Sequence, residues 1–134
     1  MLKDKVVLIV EDELPLAEAV KIKLEKTGFT AVTARSVSQA LDYLKDDVHI
    51  DAIWLDHYLL GQENGLDLVA QIKEKDSKWN NIPIFVVSNT ASVDKVQSYL
   101  RLGVNKYYIK SNFRLDSIIK DIDDFLNSGS IDKN

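Results

Sequence analysis

The chain has 134 residues, one domain's worth, and 46% of them are apolar, enough for one sizeable core. It contains no cysteine, which excludes disulfides, thiolate chemistry and cysteine-held zinc. Its net charge of -4 is interspersed without a basic tract, so no direct nucleic-acid binding is expected.

The opening MLKDKVVLIVEDE lacks the apolar helix and small-residue cleavage pattern of a secretory signal. No stretch reaches the roughly eighteen apolar residues of a membrane span, so no membrane insertion is expected and a cytoplasmic location is the default. KVVLIV, residues 5–10, is a continuous β-branched and aliphatic run, as in a strand covered on both faces. EDELP follows. Pro15 suits the first turn of a helix whose apolar face holds Leu16, Ala19, Val20, Ile22 and Leu24, and Gly28 ends it. FTAVTA is a short second strand. Ser36 is placed to cap the next helix, with Ala40, Leu41 and Leu44 facing inward.

IDAIWL, residues 50–55, is the third strand. A loop with Gly61 and Gly65 leads to a helix marked by Leu66, Leu68, Val69 and Ile72. SKWNN is a polar turn, and Pro83 admits the strand IFVVS. Residues 91–102 read as a fourth helix closed by Gly103, and NKYYIK is the fifth strand. Residues 114–126 form a last amphipathic helix, and 128–134 is a polar tail. The alternation predicts an α/β fold: a doubly wound five-stranded parallel sheet, strand order 2-1-3-4-5, with helices on both faces, flavodoxin-like. Residues 1–134 read as a single domain with its core at about 4–127.

Polar residues collect where the strands end. Glu11, Asp12 and Glu13 follow strand one, Asp56 follows strand three, Ser88 and Asn89 close strand four, and Lys110 follows Ile109 of strand five. In a parallel sheet these positions share one edge, and the ligand site lies there, where the strand order reverses. Converging carboxylates repel each other unless a cation compensates. Hard oxygens at an open site suit Mg²⁺, which readily takes phosphate oxygens. Lys110 supplies a mobile ammonium and Ser88 a hydroxyl donor for a phosphoryl group. Asp56 then reads as the nucleophile, since aspartyl phosphates are a known covalent intermediate.

These residues, in this order, resemble the receiver domain of two-component response regulators, of the chemotaxis-regulator kind, over roughly residues 4–127. The matching motifs are VEDE after strand one, LD at 55–56, Ser88 after IFVV, and YYIK ending at Lys110. The resemblance implies Asp56 as phosphoacceptor, Lys110 and Ser88 as the other catalytic groups, and Ser88 with Tyr107 as the switch. It implies a Mg²⁺ site, with Mn²⁺ as a substitute, made by Glu11, Asp12, Asp56 and the backbone carbonyl of Tyr58. The donor would be a phosphohistidine of a sensor histidine kinase or a histidine phosphotransfer protein. Output would pass through the face of helix four, strand five and helix five, to a downstream protein or a homodimer. Such a domain catalyses its own phosphorylation and dephosphorylation but is mainly a signalling module. It is either a stand-alone regulator or part of a longer chain.

Three features depart from the family pattern. Leu60 stands in the usual proline position, and Gly65 falls one residue late, implying an insertion near Gln62 or Glu63. Ser111 replaces the proline after the lysine, so no cis bond is expected there. Asn89 replaces a small residue and is expected to narrow phosphoryl access. None of these removes a reactive group. A haloacid-dehalogenase-like phosphotransferase would want an aspartate where Tyr58 stands, and a flavodoxin-like carrier would want a phosphate loop where EDELP stands. A degenerate receiver, acting only as a docking module, would lack an acid, the nucleophile or the lysine. His57 reads as a bystander beside the nucleophile, Trp54 as sheet packing and Tyr108 as core.

Overall fold

The computed structural model describes residues 5–46, 48–90 and 92–128. Ala91, at the expected start of helix four, and the tail beyond Ser128 lie outside the described residues. Each apolar run becomes a strand: β1 (Val6–Val10), β2 (Thr30–Ala34), β3 (Ala52–Leu55), β4 (Ile84–Ser88) and β5 (Lys106–Ile109). The helices between and after them are α1 (Leu14–Lys26), α2 (Val37–Lys45), α3 (Gly65–Ile72), α4 (Val93–Leu102) and α5 (Leu115–Ser128). All pairings are parallel, and the order β2-β1-β3-β4-β5 is the one expected.

The strands are shorter than the apolar runs because side chains take over the ladder at their ends. Asp51 gives its N–H to the Val6 carbonyl, while its carboxylate accepts the Val6 N–H at 2.8 Å. Asn105 gives its N–H to the Ile84 carbonyl, and its Oδ1 accepts the Ile84 N–H at 3.0 Å.

Alternation along each strand builds two apolar layers. Val7, Ile9, Trp54, Phe85 and Tyr108 pack with α1 and α5. Leu8, Val10, Leu55, Val86 and Tyr107 pack on the side of α2, α3 and α4. Tyr107 and Tyr108 thus face opposite ways, and Trp54 is fully buried in the sheet's packing, both as expected. Among the described residues no helix is long and apolar enough to cross a membrane.

The helix starts follow local chemistry. Ser36 accepts the Gln39 N–H at 3.1 Å and caps α2. Asn64 and Asp67 form a reciprocal capping box at α3, with bonds of 3.2 and 2.8 Å. Pro15 lies in the first turn of α1. Gly103 ends α4 with φ 102°, a left-handed conformation that a side chain would resist.

Candidate functional site

β1 and β3 are neighbours, with Val10 beside Leu55. The residues that follow them therefore leave the sheet side by side. Their backbones stay paired past the strand ends: Asp56 N–H donates to the Val10 carbonyl and Glu11 N–H to the Ala34 carbonyl, both at 2.9 Å. Carboxylate oxygens of Glu11, Asp12 and Asp56 lie within 4.8 Å of one another. Glu11 and Asp56 are buried and Asp12 is half-buried. Glu13 is exposed and stands just before α1 in the N-cap position, its N–H donating to Glu11 Oε2 at 3.1 Å.

Lys110 crosses to these acids from the end of β5. Its ammonium sits 3.1 Å from Glu11 Oε1 and 3.6 Å from Asp56 Oδ2. Lys110 begins a 3-10 turn over Lys110–Asn112, and there is no cis peptide bond among the described residues. Burial, then the Asp56 charge, pushes the Glu11 carboxyl up to about 7 against the pull of Lys110. Burial also raises Asp56, while Lys110, the His57 N–H and the Ser88 hydroxyl pull it back. One cation among three acids leaves negative charge in excess, which a divalent cation would balance. The donors are all hard oxygens, with no sulfur and no imidazole among them, so the residues fit Mg²⁺ or Mn²⁺.

Ser88 is fully buried at the end of β4, where its hydroxyl lowers the Asp56 pKa and its Oγ accepts the Thr90 N–H at 3.4 Å. The O–H of the half-buried Tyr107 donates to the Thr90 carbonyl at 2.8 Å. The two residues of the expected switch pair are therefore joined through Thr90. Asn89 is exposed.

The loop after Asp56 explains two departures. Leu60 N–H donates to the Arg35 carbonyl at 3.0 Å, and Leu60 bridges to Ser36. A proline at position 60 has no N–H and could not make this bond. Gly65 comes so close to the site that an added Cβ would lie 2.9 Å from the Asp56 carbonyl oxygen, 3.1 Å from the His57 Cα and against the Tyr99 hydroxyl. Only glycine fits there.

Two residues with a part in the site carry no motif. Arg35 donates from Nε and a terminal guanidinium nitrogen to the Asp12 carbonyl, at 3.3 and 3.1 Å. It follows the last residue of β2, so the strand-end rule that finds Asp56 reaches it as well. Tyr99, fully buried on α4, is joined to His57 Nδ1 by a 2.6 Å hydrogen bond. His57, expected to be a bystander, thus has its ring engaged with α4 and its N–H with Asp56. Burial lowers the His57 pKa and raises that of Tyr99, so both rings stay neutral.

The family model for the response regulator receiver domain matches residues 7–123. The chain belongs to that family. Among curated relatives, the alginate biosynthesis transcriptional regulatory protein AlgB of Pseudomonas putida is 30% identical over 104 residues, covering 78% of this chain and 22% of AlgB. The chain thus spans about a fifth of that relative's length. The chemotaxis protein CheY1 of Helicobacter pylori is 29% identical over 105 residues, covering 77% of this chain and 82% of CheY1. Among solved structures, the phosphorylated cyanobacterial phytochrome response regulator RcpA has a TM-score of 0.81 and 26% identity, covering 98% of this chain and 100% of RcpA. Receiver domains bind a divalent metal at an acidic pocket and interact with histidine kinases or phosphotransfer proteins, and this receiver has the acidic pocket. Its phosphoacceptor function fits the family, and the docking-only alternative is not favoured, since Glu11, Asp12, Asp56 and Lys110 are all present.

Proposed function

We propose that Asp56 accepts a phosphoryl group from a phosphohistidine and that the receiver signals through the resulting change of shape. The observation that carries this reading is the grouping of Glu11, Asp12 and Asp56 within 4.8 Å, with Lys110 3.6 Å from Asp56. An Asp56 oxygen attacks phosphorus, the P–N bond breaks, and its electron pair stays on the donor imidazole, which takes up a proton. Glu11, Asp12, Asp56 and the Tyr58 backbone carbonyl would hold Mg²⁺, with Mn²⁺ as a substitute. The ion supplies charge balance for the phosphoryl oxygens in an in-line transfer. Lys110 neutralises the same oxygens from the β5 side. Water later cleaves the acyl phosphate.

Ser88 then moves onto the phosphoryl group and Tyr107 fills the space it leaves. The face of α4, β5 and α5 is the proposed output surface, for a downstream protein or a second copy. Val93 and Leu100 on α4 and Phe113 after β5 are exposed there. A sensor histidine kinase or a histidine phosphotransfer protein is the proposed donor, and the cytoplasm the proposed location. The test is intact mass after incubation with acetyl phosphate and Mg²⁺. The parent gains the mass of one phosphoryl group, and Asp56→Asn gains none. An Asp56→Asn protein that still takes the group under the same conditions would remove Asp56 from the role.

A further inference from the structure

We propose that the hydrogen bond between His57 and Tyr99 makes Tyr99 a positioning residue for Asp56, and gives the acceptor a direct mechanical link to α4 beside the one through Ser88 and Tyr107. This rests on Asp56 being the phosphoacceptor.

Each joint of the link is short. His57 is the residue after Asp56, and its N–H donates to Asp56 Oδ1 at 2.8 Å. The same residue's Nδ1 is bonded to the Tyr99 hydroxyl at 2.6 Å. Its carbonyl accepts the Gly65 N–H at 2.9 Å, and Gly65 leaves no room for a Cβ beside the Tyr99 hydroxyl. Tyr99 is fully buried, the one buried side chain of α4. Its ring lies 5.6 Å from that of Tyr107 and 5.7 Å from that of His57.

These contacts close a ring. It runs from Asp56 through His57 to Tyr99, across to Tyr107, and back through the Thr90 backbone to the Ser88 hydroxyl, which acts on the Asp56 carboxylate. A phosphoryl group on Asp56 changes what the carboxylate accepts from the His57 N–H. His57 can then shift only with Tyr99, because a buried polar pair that separates leaves both partners unsatisfied. Tyr99 is part of α4, so its movement is movement of the helix. Tyr107 senses the same event on the other side, through Ser88. The two routes meet where the rings of Tyr99 and Tyr107 touch.

The experiment compares the parent with Tyr99→Phe, which keeps the ring and removes the hydroxyl. Both are labelled by acetyl phosphate with Mg²⁺, and backbone amide shifts are recorded with and without beryllium fluoride, a stand-in for the phosphoryl group on a carboxylate. The expected result is labelling about threefold to tenfold slower in Tyr99→Phe, the worth of one hydrogen bond. The amide response of Val93–Leu102 should at least halve relative to that of Ser88 and Tyr107. An undiminished α4 response in Tyr99→Phe overturns the proposal. If the variant does not fold, the parent decides. Its His57 ring nitrogens shift on beryllium fluoride addition if the link exists, and unshifted nitrogens overturn it. A parent that takes no phosphoryl group overturns the functional reading and this proposal together, whereas a labelled parent with an unlinked α4 overturns the proposal alone.

Discussion

Asp56 and Glu11 are held in an arrangement that the chain by itself disfavours. Two buried carboxylates share one lysine, and burial raises both. Such placement makes sense where a cation and a phosphoryl group complete the charge balance. Asp12 belongs to this group by geometry and Glu13 does not, since Glu13 is exposed at the N-cap of α1. Asp12→Ala should therefore weaken Mg²⁺ binding by about tenfold or more, the scale of a lost charge-assisted contact, whereas Glu13→Ala should leave it nearly unchanged. Calorimetric titration of both variants separates them, and equal losses would contradict the assignment. Tyr58 should tune lifetime instead. Its ring stands on the His57 ring at 4.7 Å, and Lys95 Nζ on α4 donates to its hydroxyl at 3.4 Å. The Lys95 ammonium also lies 5.4 Å from the ring centre. Neither Tyr58 nor Thr90, two places past Ser88, brings a carboxylate or amide to orient a hydrolytic water. The phosphoryl group should be lost slowly, and severalfold faster in Tyr58→Ala. A parent decay as fast as that of the variant would show that the ring offers no protection.

At the scale of elements, α3 has the most to do with the site and the least length with which to do it. It runs only over Gly65–Ile72, and its start is packed against the backbone that carries Asp56. A helix this short depends on its cap and its buried face. Asn64→Ala should cost about 1 kcal/mol of unfolding free energy by removing one half of the capping box. Urea denaturation measures it, and an unchanged midpoint would show that the cap is idle. The elements themselves were legible in the sequence because period and composition announce them: KVVLIV and IFVVS are continuous apolar runs, and Ser36 and Gly103 mark helix ends. The acids and the lysine were legible for a topological reason, since strand ends in a parallel sheet converge whatever lies between them. The contact of His57 with Tyr99 was not legible. It joins residues 42 apart in the chain, and no periodicity records which of the two helical tyrosines, Tyr43 or Tyr99, meets a given loop. The Arg35 bonds to the Asp12 carbonyl were hidden likewise, because a backbone acceptor leaves no mark on residue type.

For the molecule as a whole, the acids tie stability to pH in a direction opposite to that of most carboxylates. Glu11 ordinarily titrates near 4.5, and in the folded chain near 7. Between those values the folded state holds a proton that the unfolded chain has released, so folding is favoured by acid across that window. The stabilisation is complete below about 4.5 and is lost as the pH rises through about 7. The upward shift of Asp56 acts in the same sense. Asp116, held below the usual aspartate range by Lys23, acts in the opposite sense and only at more acidic pH, where its carboxylate begins to protonate. His57, whose pKa burial lowers from 6.5, acts in the opposite sense below that value, so the metal-free chain should lose stability chiefly between about pH 6.5 and pH 8. Glu11→Gln, which keeps the hydrogen-bonding shape without the charge, should show a flatter profile. At pH 8 it should be the more stable of the two, by on the order of 1 kcal/mol. Mg²⁺ should reverse the trend for the parent, because it would bind the deprotonated acids and draw the equilibrium toward the folded state more strongly as the pH rises. Urea midpoints for parent and variant, taken across this range with and without Mg²⁺, test both statements. Superimposed metal-free profiles would mean that Glu11 keeps its ordinary titration in the folded chain and that the excess negative charge at the sheet edge is balanced without a metal.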